Sequence, residues 1–305
     1  MRKRSLVKKA LLPAIVAVLC SVIALTSVSY AWFTLGNTAS VESIEVNVQA
    51  ADGIQISADA LAWKSVLPVA DLEAVATNQM PTAEINPVSS ALKVVNGKME
   101  MYTGEVQSDG KTLKTSKITE AADGDFFAFD IYVKLDSAKE FQLDLESSVV
   151  AGATANNSEI AARVAFVNLG TASTAAAAKE LAGDAVSVFV WEPNAKKHVQ
   201  VFNDIPENGT AVEKYYGVKQ ASDALDMTDK TQFEEIAANQ IAYDADGKTT
   251  VATKLFDLEA GYTKIRVYIW LEGQDVDCTN EISGGVFNVT LNFAVVAQQN
   301  EAEGE

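Results

Sequence analysis

Hydrophobic and polar residues alternate one for one in four stretches of the chain, and that period of two marks a strand with one buried face. In "FFAFDIYVKL" (126–135) it places Phe127, Phe129, Ile131, Val133 and Leu135 on one side. "FQLDLESSV" (141–149) repeats it with Phe141, Leu143 and Leu145, and "KIRVYIWLEG" (264–273) with Ile265, Val267, Ile269 and Leu271. "VFNVTLNFAVV" (286–296) carries it furthest, through Phe287, Val289, Leu291, Phe293 and Val295. Shorter stretches of the same kind lie at 44–48, 54–58, 92–95, 99–102, 163–168, 186–191 and 199–202. Helical signals are few. "TASTAAAAKELAG" (171–183) is rich in alanine, with Ser173 or Thr174 as N-cap and Gly183 as its stop. "TQFEEIAANQIA" (231–242) opens with Thr231 and Glu234 spaced as a capping box. So many one-sided strands predict an all-β fold: two antiparallel sheets packed face to face, a jelly-roll-like β-sandwich with two short helical insertions.

The first 31 residues break the pattern. Arg2, Lys3, Arg4, Lys8 and Lys9 precede an apolar run in which residues 10–28 carry no charge. Ser29-Tyr30-Ala31 comes next, with small residues where a signal peptidase needs them, so cleavage is expected between Ala31 and Trp32. The run also has the length, about 20 residues, of a helix spanning a bilayer, and an uncleaved anchor through residues 10–30 is the alternative. Both readings put the chain from Trp32 onward outside the cytoplasm, because the positive flank stays inside. Residues 32–298 then read as one β-sandwich domain. Less periodic insertions fall at about 60–120, which holds Pro68, Pro81 and Pro87, and at about 170–260. The polar end, 299–305, is expected to be a disordered tail.

Charge narrows the partners. Removing residues 1–31 takes away five basic residues and no acid, so the −17 of the whole chain becomes −22 over the remaining 274 residues. Such a surface repels phosphate backbones and argues against nucleic acid as a partner. Of two cysteines, Cys20 lies in the apolar run, which leaves Cys278 without an internal disulfide partner after cleavage. Stability must come from burial, and a chain of this size can bury about 70–75% of its unfolded surface.

Catalytic patterns are missing. His198 is the single histidine, and neither HExxH nor a Cys/His cluster is present, which argues against zinc. No GxSxG, Gly-rich phosphate loop or GxGxxG occurs. "DADGK" (244–248) starts like a calcium loop but has Leu255 where the twelfth-position Glu belongs, so a hairpin turn is expected. "EGQDVDCTNE" groups Glu272, Asp275, Asp277 and Glu281 near Cys278, and these four are the candidate calcium ligands; a solvated turn is the alternative. Cys278 lacks an evident base and reads as a buried or half-buried thiol. Glycosylation sequons at Asn156, Asn208 and Asn288 read as chance occurrences. No cofactor is expected.

The ends of the chain resemble a known group. "SYAWFTLGNTA" is similar to the junction of TasA/camelysin-type exported proteins of Gram-positive bacteria, which carry a SipW-type signal peptide. "NEISGGVFNVTLNFAVVAQ" (280–298) resembles that family's last strand, and "AADGDFFAFDIYVKLDSAKEFQLDL" (121–145) its paired strands after a Gly-Asp turn. The chain departs from the family at 60–120 and 170–260. The resemblance implies a jelly-roll-like sandwich that polymerises into extracellular fibres, its mature N-terminal segment leaving one subunit to complete the sheet of the next. On the residues alone, Ile44, Val46 and Val48 give the first strand one apolar edge, as a donated strand requires. They serve equally if residues 39–58 form the first strand of their own subunit. The expected function is thus a non-enzymatic exported structural protein of the cell surface or biofilm matrix, with itself as partner and a matrix polysaccharide as a further candidate. The alternative is a monomeric module gripping carbohydrate or host protein, which exposed aromatics such as Trp63 or Tyr215-Tyr216 would favour. A hydrolase, after the camelysin name, is the third reading.

Overall fold

The computed structural model describes residues 41–50, 54–81, 85–121, 124–152, 157–193, 214–237, 241, 248–275, 278 and 282–298, with the backbone alone at 41–50, 214–215 and 237. All belong to one compact unit, residues 31–305. The first half of the chain forms β1 (Val41–Ala50), β2 (Gln55–Ser57), β3 (Val66–Leu67), β4 (Val94–Val95), β5 (Lys98–Met99), β6 (Met101–Val106), β7 (Thr112–Ile118) and β8 (Phe127–Leu135). Then come β9 (Lys139–Leu143), β10 (Ser148–Ala151), β11 (Ala162–Ala172), β12 (Ser187–Trp191) and β13 (Lys214–Gly217). The last are β14 (Ser222–Asp226), β15 (Glu234–Ala237), β16 (Thr253–Leu258), β17 (Gly261–Leu271) and β18 (Gly285–Ala297). Two short helices, α1 (Val69–Glu73) and α2 (Ala175–Lys179), accompany them among the described residues. The protein is all-β, as the alternation predicts.

Two sheets carry most of the strands. One runs β16-β9-β18-β1-β3, with β10 also on β18; the other runs β12-β11-β17-β8-β2. Residues of both line one hydrophobic core, where Phe166 of β11 meets Phe293 of β18 edge-on with ring centroids 5.9 Å apart. Phe127, Phe129, Ile131 and Val133 enter this core from β8, and Ile265, Val267, Ile269 and Leu271 from β17. Each such side chain stabilises the fold by about 1.5–3 kcal/mol through removal from water.

The other face of the five-stranded sheet is buried as well. Phe126, Ala128, Ala165, Tyr268 and Trp270 form a second core with Val88, Met99 and Met101. Those three come from the first poorly periodic segment, and Ile236 of the second joins them. Much of the weakly alternating 60–120 segment thus belongs to a cover of short strands, β4–β7, which packs Val94, Met99, Met101 and Ile118 against this face, whereas Pro68 leads from β3 into α1 beside the first core. Strand alternation predicts one buried face per strand; the central strands have two.

Three local expectations are corrected. The helix expected over 231–242 is absent from 231–237: a 3-10 turn at Lys230–Gln232 is followed by β15, paired with β13. Asp229 takes the capping role, accepting from the backbone N–H and the hydroxyl of Thr231, and buried Phe233 pulls the chain into extended form. The 171–183 helix contracts to α2, capped by Thr174, whose hydroxyl accepts from the Ala177 N–H at 3.2 Å. Thr171 and Ala172 instead prolong β11 against Thr263 and Tyr262. Leu145 does not share a buried face with Phe141 and Leu143: the chain leaves the ladder after Leu143, and Leu145 is exposed in the turn before β10. The strand expected at 199–202, the sequence around His198, the expected leader with its Ala31–Trp32 junction and the tail from 299 lie outside the described residues. Among the described residues, no helix is long and apolar enough to cross a membrane.

Candidate functional site

The strand 41–50 occupies an unusual place. It lies beside β18 in parallel, with Ile44 opposite Phe287, Val46 opposite Val289 and Val48 opposite Leu291. Every other ladder between the described strands is antiparallel. Antiparallel neighbours can be held together by a hairpin, but parallel ones need a long crossover, so no turn ties β1 to β18. On its other side β1 meets only β3, through Val48–Leu67 and Gln49–Val66. Residues 41–47 are therefore paired on one side alone among the described residues. The acceptor, in contrast, is firm: Phe287, Val289 and Leu291 are fully buried. Residues 39–58 are not one strand, because the chain crosses after Ala50 to the other sheet, where Ile56 pairs with Val133 of β8.

The candidate calcium ligands are separated by their uses. Glu272 is fully buried at the end of β17; its carboxylate accepts from the Trp270 indole N–H at 3.0 Å and the Gln274 N–H at 3.1 Å. Burial pushes this carboxyl up to about 7, against the pull of the Ser89 hydroxyl, the Trp270 indole and the Arg163 charge. Asp275 is buried too, but on Arg163: the guanidinium sits 2.6 Å from it and 2.8 Å from Glu192. Asp277 and Glu281 lie outside the described residues. No three His, Cys, Asp or Glu side chains among the described residues are placed to hold a metal ion. Cys278 is buried and forms no disulfide among the described residues.

A second charge network was invisible in the sequence. Arg266 of β17 faces the cover rather than water and donates to Asp130 at 2.7 Å, to Glu120 at 2.8 and 3.1 Å, and to the Thr77 carbonyl at 3.0 Å. Lys264 lies 3.4 Å from Asp130 and donates to the carbonyls of Lys179 and Leu181. Burial works against the Arg266 cation, yet Asp130, Tyr268 and Glu120 outweigh it and hold its pKa above the ordinary value. Burial likewise works to raise the Glu120 carboxyl, but Arg266 and Lys98 keep it below its usual range. Two alternating basic residues on a strand ordinarily mean a solvated face; the cover that buries them comes from remote sequence.

The aromatic candidates are engaged. Trp63 is half-buried against Tyr262, ring centroids 5.5 Å apart. The Tyr216 hydroxyl donates to Glu235 at 3.1 Å, and the Lys230 ammonium lies over its ring. The side chain of Tyr215 lies outside the described ones.

Comparison of the chain with models of protein families, with curated proteins and with solved structures finds no match in any of the three.

Proposed function

We propose that this chain is a non-enzymatic, exported structural protein of the cell surface or biofilm matrix. Its body is a jelly-roll-like β-sandwich, and copies assemble by passing β1 from one subunit to the next. The observation that carries this reading is the pairing of β1, parallel to β18, with a two-residue contact to β3 and no turn binding it to its neighbour. A strand so placed can leave without unravelling a hairpin. An identical strand from a second copy offers the same main-chain hydrogen bonds and the same apolar residues at 44, 46 and 48, so exchange alters the connectivity but not the contacts. An emptied place beside buried Phe287, Val289 and Leu291 would expose apolar surface, which favours refilling. Export rests on the basic, apolar and small-residue order of residues 1–31.

The test compares protein beginning at Trp32 with protein beginning near Gly53, by electron microscopy and light scattering. Filaments from the longer form alone are expected. Two monodisperse monomers would overturn the proposal and favour a binding module. Sequencing the N-terminus of exported protein checks the leader: Trp32 is expected first, and recovery of Met1 would make residues 10–30 an anchor.

A further inference from the structure

Above the Arg266 network lies a cleft of about 490 Å³, within the range of about 300–1,000 Å³ typical of small-ligand sites. The charges of its floor are committed to one another. Lys264 serves Asp130 and the carbonyls of Lys179 and Leu181, and Arg266 serves Asp130, Glu120 and the Thr77 carbonyl. Lys98 is paired with Glu120 at 2.8 Å. The mouth is different. Asn96 and Gly97 turn the β4–β5 hairpin with φ of +53° and +73°, a conformation that Asn-Gly favours. The Gly97 N–H donates to the Gly183 carbonyl at 2.9 Å, and a Cβ on Gly97 would stand 2.9 Å from the Cα of Ala182. This close approach of backbones holds the hairpin tip against the chain that follows α2, so the two sides of the mouth are fixed before any ligand arrives.

The side chains of Thr77, Asn96, Lys179 and Glu180 line this mouth, are exposed, and make no hydrogen bond or ion pair among the described residues. They offer a hydroxyl, an amide, a cation and an anion, so donors and acceptors balance and the four carry no net charge. The cleft as a whole, four cations against three acids, lies within one charge of neutral. An anion drawn to Lys179 meets Glu180 beside it, a cation meets the reverse, and exposed ion pairs contribute little. An apolar ligand would cover all four groups and satisfy none. Hydroxyl groups, each a donor and an acceptor at once, satisfy both kinds. Ala76, Ala121 and Ala182, also on the lining, are small and apolar, as the C–H face of a sugar ring requires. No aromatic ring is among the described residues lining the cleft, so hydrogen bonds rather than stacking must hold such a ring.

We infer that this cleft binds a neutral oligosaccharide, with one sugar ring in the mouth and its hydroxyls on Thr77, Asn96, Lys179 and Glu180. The inference does not rest on strand exchange, since a subunit that never polymerises has the same cleft. Its test is titration calorimetry on the full chain, kept in a mild polyoxyethylene detergent whose headgroup is no sugar. The probes are cellotriose, maltotriose and tri-N-acetylchitotriose. Saturable binding of at least one is expected, with an affinity that stays level between about 0.01 M and about 0.15 M salt because the ligand has no charge to screen. Glu180→Ala should weaken it about tenfold or more, and Asn96→Gly should weaken it as well. Alanine suits the end of a helix and glycine the turn, and unchanged thermal midpoints show that both variants are folded. Removing an acid strengthens the binding of an anion, so the sign of the Glu180→Ala effect separates the two kinds of ligand. The inference is overturned by no saturation with any of the three probes, by equal or tighter binding to Glu180→Ala, or by displacement of the sugar by inorganic phosphate or glycine, which would mark a site for an anion or a zwitterion.

Discussion

At Glu272 a carboxyl group is held out of water beside the Trp270 indole, with its pKa raised from about 4.5 to about 7. The folded protein therefore binds a proton there between those values while the unfolded chain does not. This group's contribution to stability is fully present below about 4.5 and is lost as the pH rises through about 7, with an upper limit of about 3 kcal/mol. Urea titrations from acid to neutral pH should show a declining wild-type midpoint and a flatter profile for Glu272→Gln, which should be the more stable protein above neutrality. Parallel profiles would refute the assignment. Arg266 makes the opposite case, because its removal leaves buried Asp130 with Lys264 and buried Glu120 with Lys98 in place of the closer guanidinium contacts both share. Arg266→Met should cost about 3–5 kcal/mol, and the triple variant that also carries Asp130→Asn and Glu120→Gln should recover much of it. No local signal distinguishes these residues from surface charges. Lys264 and Arg266 alternate with the core side of β17 as solvated residues would, and the segments that enclose them lie more than eighty residues away.

Elements were legible where their pattern is self-contained. In β8, β17 and β18 the residues assigned to one face by alternation enter the common core or pack against it. Capping patterns were weaker guides. Thr174 caps α2 as its position predicts, whereas Thr231 is taken up by Asp229, and the packing of Phe233 overrides the helical pattern of the next residues. In 141–149 the alternation continues through a turn, since period two cannot show where a ladder partner ends. The role of β1 can be tested by proline, which removes a backbone donor. Successive residues of a strand turn their N–H groups to opposite edges, so Val46→Pro and Asn47→Pro probe the two sides separately. One should abolish filaments by breaking the ladder to β18, while the other, on the side that β3 leaves largely unpaired, should be tolerated. Normal filaments from both variants would show that β1 is not the link.

For the molecule as a whole, residues 32–305 carry −22, and on the proposed assembly subunits so charged would repel one another. Raising ionic strength from about 0.01 M to about 0.15 M shortens the screening length from about 30 Å to about 8 Å. Filament growth, followed by light scattering, should accelerate over that range; slower growth would point to ion pairs between subunits as the attraction. The sequence by itself determined the class of structure and the inward residues of the long strands, because strand periodicity and the hydrophobic effect act locally. It also carried the acidic surface and the export-like order of residues 1–31. Only the tertiary structure decided that β1 lies parallel to β18, that the central sheet is covered on both faces, and that Arg266 and Glu272 are buried. These depend on which remote segments meet, and such meetings arise from the summed packing of the whole chain.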